Sequence, residues 1–373
     1  MSNAHIPAST WPTGTRSGAG RPDRLMRHLS VGRWVIGVTS LAMSSLFIGV
    51  VCLAVGAESV AVGTILRIAG MVLQGDGDAL ESVGASSVIL LQFRLPRLGL
   101  AFLVGSSLAV VGACLQALLR NPLAEPYVLG ISSGAAFGAT VGLLLGVGGT
   151  VLGLSVLPVW AFCGGLLSIL VVYRISVTYR MLSVHTLLLA GVILNALFSA
   201  LIMFVVSLAD PTQAFKIMMW LMGTIVAPSY STLLWLAVWL GAGGVVLFGL
   251  ARSLNVLTTG EETSRALGVE VERVKKLIFV VSALMTGAVV SLAGLIGFVG
   301  MVVPHVVRMI AGADHRLLLP ASALVGGSFL MVADTIARTA LSPTELPVGV
   351  VTALTGGPVF MYLLVKRRAG VAV

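Results

Sequence analysis

Apolar positions in this chain come in long unbroken runs rather than in strict alternation. Runs of about 20 such residues recur from end to end, the length a helix needs to cross the hydrocarbon core of a bilayer. They predict helices near residues 33–57, 95–119, 126–148, 153–173, 185–208, 230–251, 275–298, 301–311, 317–338 and 347–365. The expected fold class is an all-α, polytopic membrane protein with about ten transmembrane helices.

Two stretches break the pattern. Residues 210–228, DPTQAFKIMMWLMGTIVAP, are too short and too amphipathic to span. They predict either a short outer helix that re-enters beside a cavity or an interfacial loop helix. Residues 254–276, LNVLTTGEETSRALGVEVERVKK, form the longest charged stretch on the inner side. Leu257, Ala266, Leu267, Val269, Val271 and Val274 give it an apolar component that a solvated linker does not need. Residues 1–32 are polar and rich in Pro, Gly and Ser, which predicts a disordered cytoplasmic tail ahead of a membrane domain at 33–373. The first apolar run reads as the first helix and not as a cleavable signal.

Composition agrees with this solvent. Hydrophobic residues make up 57% of the chain and charged ones 10%, and the mean hydropathy is +1.05. A soluble domain carries roughly a quarter charged residues, so most of this surface does not face water. The net charge of +9 raises the question of nucleic acid, and the placement of the charges answers it. With the N-terminus inside, only Arg67, Arg94, Arg97, Lys216 and Arg338 of the 23 basic residues fall on the outer side. That is the positive-inside bias, which puts both termini in the cytoplasm and makes the high pI a report on topology, with no nucleic-acid role. Cys52, Cys114 and Cys163 lie inside apolar runs and are expected as small core residues, not as a disulfide framework or metal ligands.

What chemistry is missing narrows the function. The chain has no G-x-x-x-x-G-K-[ST] loop, so it carries no nucleotide-driven motor of its own. Asp334 is the main intramembrane acid. It lies near the outer end of its helix with Arg338 at i+4, and a local ion pair is a simpler reading than a coupling-ion site. Histidines and acids show no metal-site spacing. The chain therefore reads as a conduit whose energy comes from a partner, the alternative being a self-sufficient secondary transporter coupled to an ion. RLPRLGLAFLVGSSLAVVGACLQALLRNP, from Arg94, also echoes RVKKLIFVVSALMTGAVVSLAGLIGFVGMVVP, from Arg273. The first begins outside and the second inside, as in an inverted repeat with the pathway at its interface. Gly294, Gly297, Gly300, Gly356 and Gly357, with Pro358, are expected to serve close helix packing more than substrate contact.

The stretches RLPRLGLAFLVGSSLAVVGACLQALLRNPLAEPYVLGISSGA, LLLAGVILNA, GFVGMVVPHVVRMIAGADHRLLLPASAL and ADTIARTALSPTELPVGVVTALTGGPVF closely resemble the FecCD-type permeases. These are membrane subunits of bacterial ABC importers for ferric siderophores, haem and cobalamin. The resemblance runs from about residue 33 to the C-terminus. It implies a type II ABC importer permease of the inner membrane, working as a homodimer. Two cytoplasmic ATP-binding subunits would sit below and a periplasmic substrate-binding protein above. It implies no cofactor in this chain, since ATP and Mg would be bound by the partner subunits.

The resemblance also assigns residues. Arg94, Arg97 and Arg338 match arginines that dock on acidic residues of the binding protein. Interfacial snorkelling is the plainer reading of outward arginines. Asn121, Pro122 and Leu123 match one layer of a cytoplasmic gate, and Ser183, Val184 and His185 a second. The family's vitamin B12 permease has small hydroxyl residues where Val184 and His185 stand, so the second layer departs from it. In the coupling segment, Glu262 and Gly268 keep an E-x-x-x-x-x-G spacing, with Thr263 and Ser264 in place of alanines. Glu261, Ala266 and Leu267 complete a short helix with a glycine stop, and Arg265 and Arg273 would be polar contacts at its rim against the ATPase. The resemblance does not choose among cobalamin, haem and siderophore.

Overall fold

A sheath of helices surrounds one central helix in the computed structural model, which describes residues 31–56, 58, 60–74, 84–147, 150–151, 154–179 and 181–368. Most of the expected tail, residues 1–30, and Arg180 lie outside the described residues. In chain order the helices are α1 (Val31–Ala54), α2 (Val62–Gln74), α3 (Leu95–Leu118), α4 (Ile131–Leu144), α5 (Val156–Ser176), α6 (Val184–Leu208) and α7 (Pro211–Leu221). There follow α8 (Tyr230–Gly249), α9 (Ala251–Leu257), α10 (Glu261–Ala266), α11 (Val271–Ala293), α12 (Val299–Ala311), α13 (His315–Thr339) and α14 (Val348–Arg368). One helical turn, Ala85–Val88, and a π segment, Ile89–Arg94, lead into α3. Pro96 has no N–H to donate, and the ladder just before it widens, with Leu95 N–H reaching Leu90 O.

Seven of the described helices, α1, α3, α5, α6, α8, α11 and α13, are long and apolar enough to cross a membrane. The other expected crossings are α4, α12 and α14, whose apolar runs, Ile131–Leu144, Val299–Ala311 and Val348–Tyr362, are shorter. The amphipathic α2 was not expected, because 13 residues interrupted by Arg67 fall below the length of a span. Two expected boundaries move. The run at 126–148 is a 3-10 turn, Pro126–Leu129, separated from α4 by Gly130, whose φ is 76°. The run at 275–298 stops at Ala293, because Gly294 leaves the helix at φ 67° and the chain stays irregular to Phe298, at φ 69°.

Burial sorts the spans. The most apolar window of Ser86–Leu118 is 78% buried, while those of α1 and α8 are 11% and 17% buried. Met43, Phe47 and Trp235 point outward from these two helices, a surface that lipid accepts and water would not. At the centre, α3 meets its neighbours backbone to backbone. A Cβ on Gly112 would lie 1.8 Å from Gly300 O of α12, and one on Gly105 2.2 Å from Gly326 O of α13. Gly300 thus has the packing role expected of it, as does Gly356, whose Cβ would strike Phe298. Of the cysteines, Cys52 and Cys114 are buried, but Cys163 is exposed on α5 and is not a core residue.

The segment from Asp210 forms a short helix and then folds back onto the bundle. Asp210 and Gln213 close a capping box on α7, and residues 223–229 then run without helix or strand. Thr224 N–H donates to Ala293 O at 3.0 Å and Gly349 N–H to Gly223 O at 3.3 Å. Non-helical backbone beside membrane spans is tolerated when protein satisfies it. The echoed halves also share a plan. Helix α3, of 24 residues, is followed by a break and the 14-residue α4, and α11, of 23 residues, by a break and the 13-residue α12.

Candidate functional site

The first gate turn is built by capping rather than by proline alone. After α3, Arg120 takes a left-handed φ of 47°, and Asn121 N–H closes on Gln116 O. The Asn121 side chain then accepts Leu123 N–H at 2.9 Å, an Asx-type turn. Asn121 and Leu123 are exposed and Pro122 is half-buried. Glu125 leaves the turn and accepts Phe298 N–H at 2.6 Å. Burial pushes its carboxyl up, and the Phe298 donor offsets part of that rise. Asn195 of α6 steadies the far side, donating to Tyr127 O at 3.0 Å and accepting from Ser133 Oγ at 2.6 Å.

The second gate segment starts from a small hairpin, Val177–Thr178 paired with Met181–Leu182. Ser183 caps α6 through Thr186 N–H. Val184 is half-buried and His185 exposed. A cleft of about 600 Å³ is lined by Arg120, Ser183, Val184, His185, Glu261 and Lys275, among others. The structure therefore brings the second layer, the edge of the first turn and the coupling segment to one place.

Lys275 is what joins them. Its ammonium, nearly buried, donates to Leu182 O at 2.8 Å, and pairs with Glu261 at 3.1 Å and Glu272 at 2.8 Å. Glu272 in turn accepts Leu182 N–H at 2.6 Å. Both backbone groups of Leu182, one residue before the gate triplet, are thus held by an ion pair that also holds α10. A sequence reading that counted Lys275 only as an inner positive charge missed this. The signal was present as the i,i+3 spacing of Glu272 and Lys275.

In the coupling segment, Gly260 (φ 125°) and Gly268 (φ 82°) bracket α10. Ser264, buried, fixes the helix to Val256 O and Gly260 O. The apolar residues divide between two destinations. Leu257, Val271 and Val274 enter the core, while Ala266 and Leu267 face outward with Glu262. Arg265 pairs with Glu261 and Glu272, and Arg273 pairs with Glu270 on the exposed rim.

At the opposite end, the three outer arginines gather, but not as free side chains. Asp334, wholly buried, pairs with Arg97 at 3.0 Å and with Arg338 at 3.2 Å. The local pair expected of Asp334 is present, and Arg97 extends it. Arg97 also reaches the exposed Glu345 at 2.9 Å. Arg94 is buried and donates to the carbonyls of Leu53 and Glu58. Snorkelling therefore does not describe them, since their charged ends turn to protein groups rather than to bulk water.

Comparison with known proteins supplies the frame for these features. The FecCD transport family matches residues 41–366. The cobalamin import system permease of Halobacterium salinarum is 44% identical over 76% of this chain and 75% of its own. The hemin transport system permease of Yersinia pestis is 42% identical over 75% and 84%. An uncharacterised ABC transporter permease of Bacillus subtilis is 38% identical over 92% and 96%. A solved metal-chelate type ABC transporter in an inward-facing conformation matches at TM-score 0.74 and 30% identity, over 89% of this chain and 99% of that one.

Proposed function

The chain belongs to the FecCD transport family, and from that premise we propose that it is the translocation subunit of an ATP-driven importer for a metal chelate such as cobalamin, haem or a ferric siderophore. It works in the membrane with ATP-binding subunits and a substrate-binding protein. The finer assignments are that two copies form the pathway, that both termini lie in the cytoplasm, and that ATP and Mg are bound by the partner subunits. The basic residues clustered at one end support the orientation.

The observation that carries the reading is the Lys275 bridge. A short helix with an exposed Ala266–Leu267 surface, α10, is joined through Glu261, Lys275 and Glu272 to the backbone of Leu182, beside Ser183, Val184 and His185. A movement imposed on α10 from outside is transmitted to that turn as a rigid-body displacement. Asn121, Pro122 and Leu123 form the neighbouring gate layer. Arg97 and Arg338 present the docking charge, with Arg94 supporting them from behind. A binding-protein carboxylate would compete with Glu345, the exposed partner of Arg97.

The ion-coupled alternative requires an intramembrane acid free to take up and release its ion. Asp334 accepts from both Arg97 and Arg338, so the geometry favours the ATP-driven reading. Proteoliposomes test it. The chain with its ATPase and substrate-loaded binding protein concentrates chelate only when ATP is supplied, and the chain alone moves none. Uptake by the isolated chain driven by a proton or sodium gradient would overturn the assignment.

A further inference from the structure

A second cavity, of about 500 Å³, opens where the start of α1, the end of α8, the start of α9 and the start of α13 meet. It lies at the same end of the molecule as the coupling segment but has separate walls. Arg252 and Arg316 supply its polar side, and Val31, Trp34 and Phe248 its apolar side. Trp34 is fixed in place, its indole N–H donating to Arg316 O at 2.9 Å. Val31 and Phe248 are exposed, and Phe248 belongs to the apolar span α8.

The charges do not cancel. Arg316 pairs with Asp314 at 2.7 Å, and Asp314 is further engaged by Asn255. Arg252 is exposed and makes no hydrogen bond or ion pair among the described residues. Two arginines against one aspartate leave a single positive charge facing a pocket with an oily mouth. A ligand that matches carries one negative charge next to hydrocarbon. Residues 1–30, just ahead of Val31, contain four arginines against one aspartate and do not complement the site. We propose that this pocket binds the headgroup phosphate of an anionic phospholipid. Arg252 and Arg316 donate to the phosphate oxygens, Trp34 and Val31 flank the headgroup, and the acyl chains run along Phe248. A zwitterionic headgroup would bring its own cation beside Arg252 and is disfavoured.

Native mass spectrometry of the purified full-length chain in detergent, titrated with phosphatidylglycerol, phosphatidylcholine or inorganic phosphate, tests this. Phosphatidylglycerol is expected to bind one per chain at concentrations where phosphatidylcholine does not. Arg252→Gln, at an exposed and unpaired position, is expected to weaken that binding roughly tenfold, and inorganic phosphate at the same concentration is expected not to displace the lipid. Equal retention of the two lipids, unchanged affinity in Arg252→Gln, or displacement by inorganic phosphate would each overturn the proposal.

Discussion

The carboxylate of Glu125 accepts the backbone N–H of Phe298 at 2.6 Å, so the break after α3 is tied to the break after α11. The two echoed halves of the chain therefore meet through a hydrogen bond at their matching interruptions. Phe298 is the residue immediately before α12, so Glu125 also fixes the entry of the chain into that helix. In Glu125→Ala the Phe298 donor is left unsatisfied, and the protein should lose about 1–3 kcal/mol of stability. Glu125→Gln keeps an acceptor oxygen and should lose less. Thermal unfolding of the detergent-solubilised chain, compared across the two variants, checks both the size and the order.

Lys275→Met removes the cation that joins Glu261, Glu272 and Leu182. Both glutamates are partly exposed, so the loss should stay near about 1–3 kcal/mol, below that of a fully buried pair. The larger effect is on coupling. ATP hydrolysis by the assembled transporter should continue while chelate uptake falls, and the ratio of the two rates in proteoliposomes measures this. A variant that keeps the wild-type ratio would remove Lys275 from the transmission path.

Gly268 separates two effects. Its φ of 82° penalises any side chain by about 1–2 kcal/mol, yet a Cβ there would meet nothing within 4 Å. Gly268→Ala and Gly268→Trp should therefore destabilise the isolated chain about equally. They should differ in assembly, with Trp binding the ATPase more weakly, if the proposed coupling role places the partner in that open space. Co-purification of the ATPase with each variant is the measurement.

Asp314 sets a pH limit. Burial alone would raise its carboxyl, but hydrogen bonds from Arg316 and Asn255 outweigh it and hold the pKa at about 2, below the ordinary 3.8. A depressed folded-state value means the unfolded chain binds the proton more readily. Its stabilising contribution is complete above the ordinary value and is lost as pH falls from 3.8 toward 2. Melting temperatures across that window should drop more steeply for the wild type than for Asp314→Asn.

The spans were legible because lipid makes a simple demand, a run of apolar residues long enough to cross. The same rule hid the places where helices stop early. Gly130 and Gly294 sit within apolar stretches, and only the close approach of other backbone, Gly191 O at one and Trp220 O at the other, shows why the chain turns there. The candidate gate and coupling residues were located by motif, and what the motifs lacked was connection. Lys275 read as one more inner charge, and Glu125 as a polar residue between prolines. Each takes its meaning from partners far away in sequence, a relation that no local pattern carries. Arg94 shows the same thing, since an outward position along the chain does not reveal that the carbonyls of Leu53 and Glu58 occupy its guanidinium.

Where Gly105 lies against Gly326 and Gly112 against Gly300, backbone meets backbone, and Gln116 ties the second contact by donating to Gly300 O. Contact of that kind has no second comfortable arrangement nearby, so α3, α12 and α13 act as a keel. Motion during a transport cycle is therefore expected around them, in the looser helices with little buried surface.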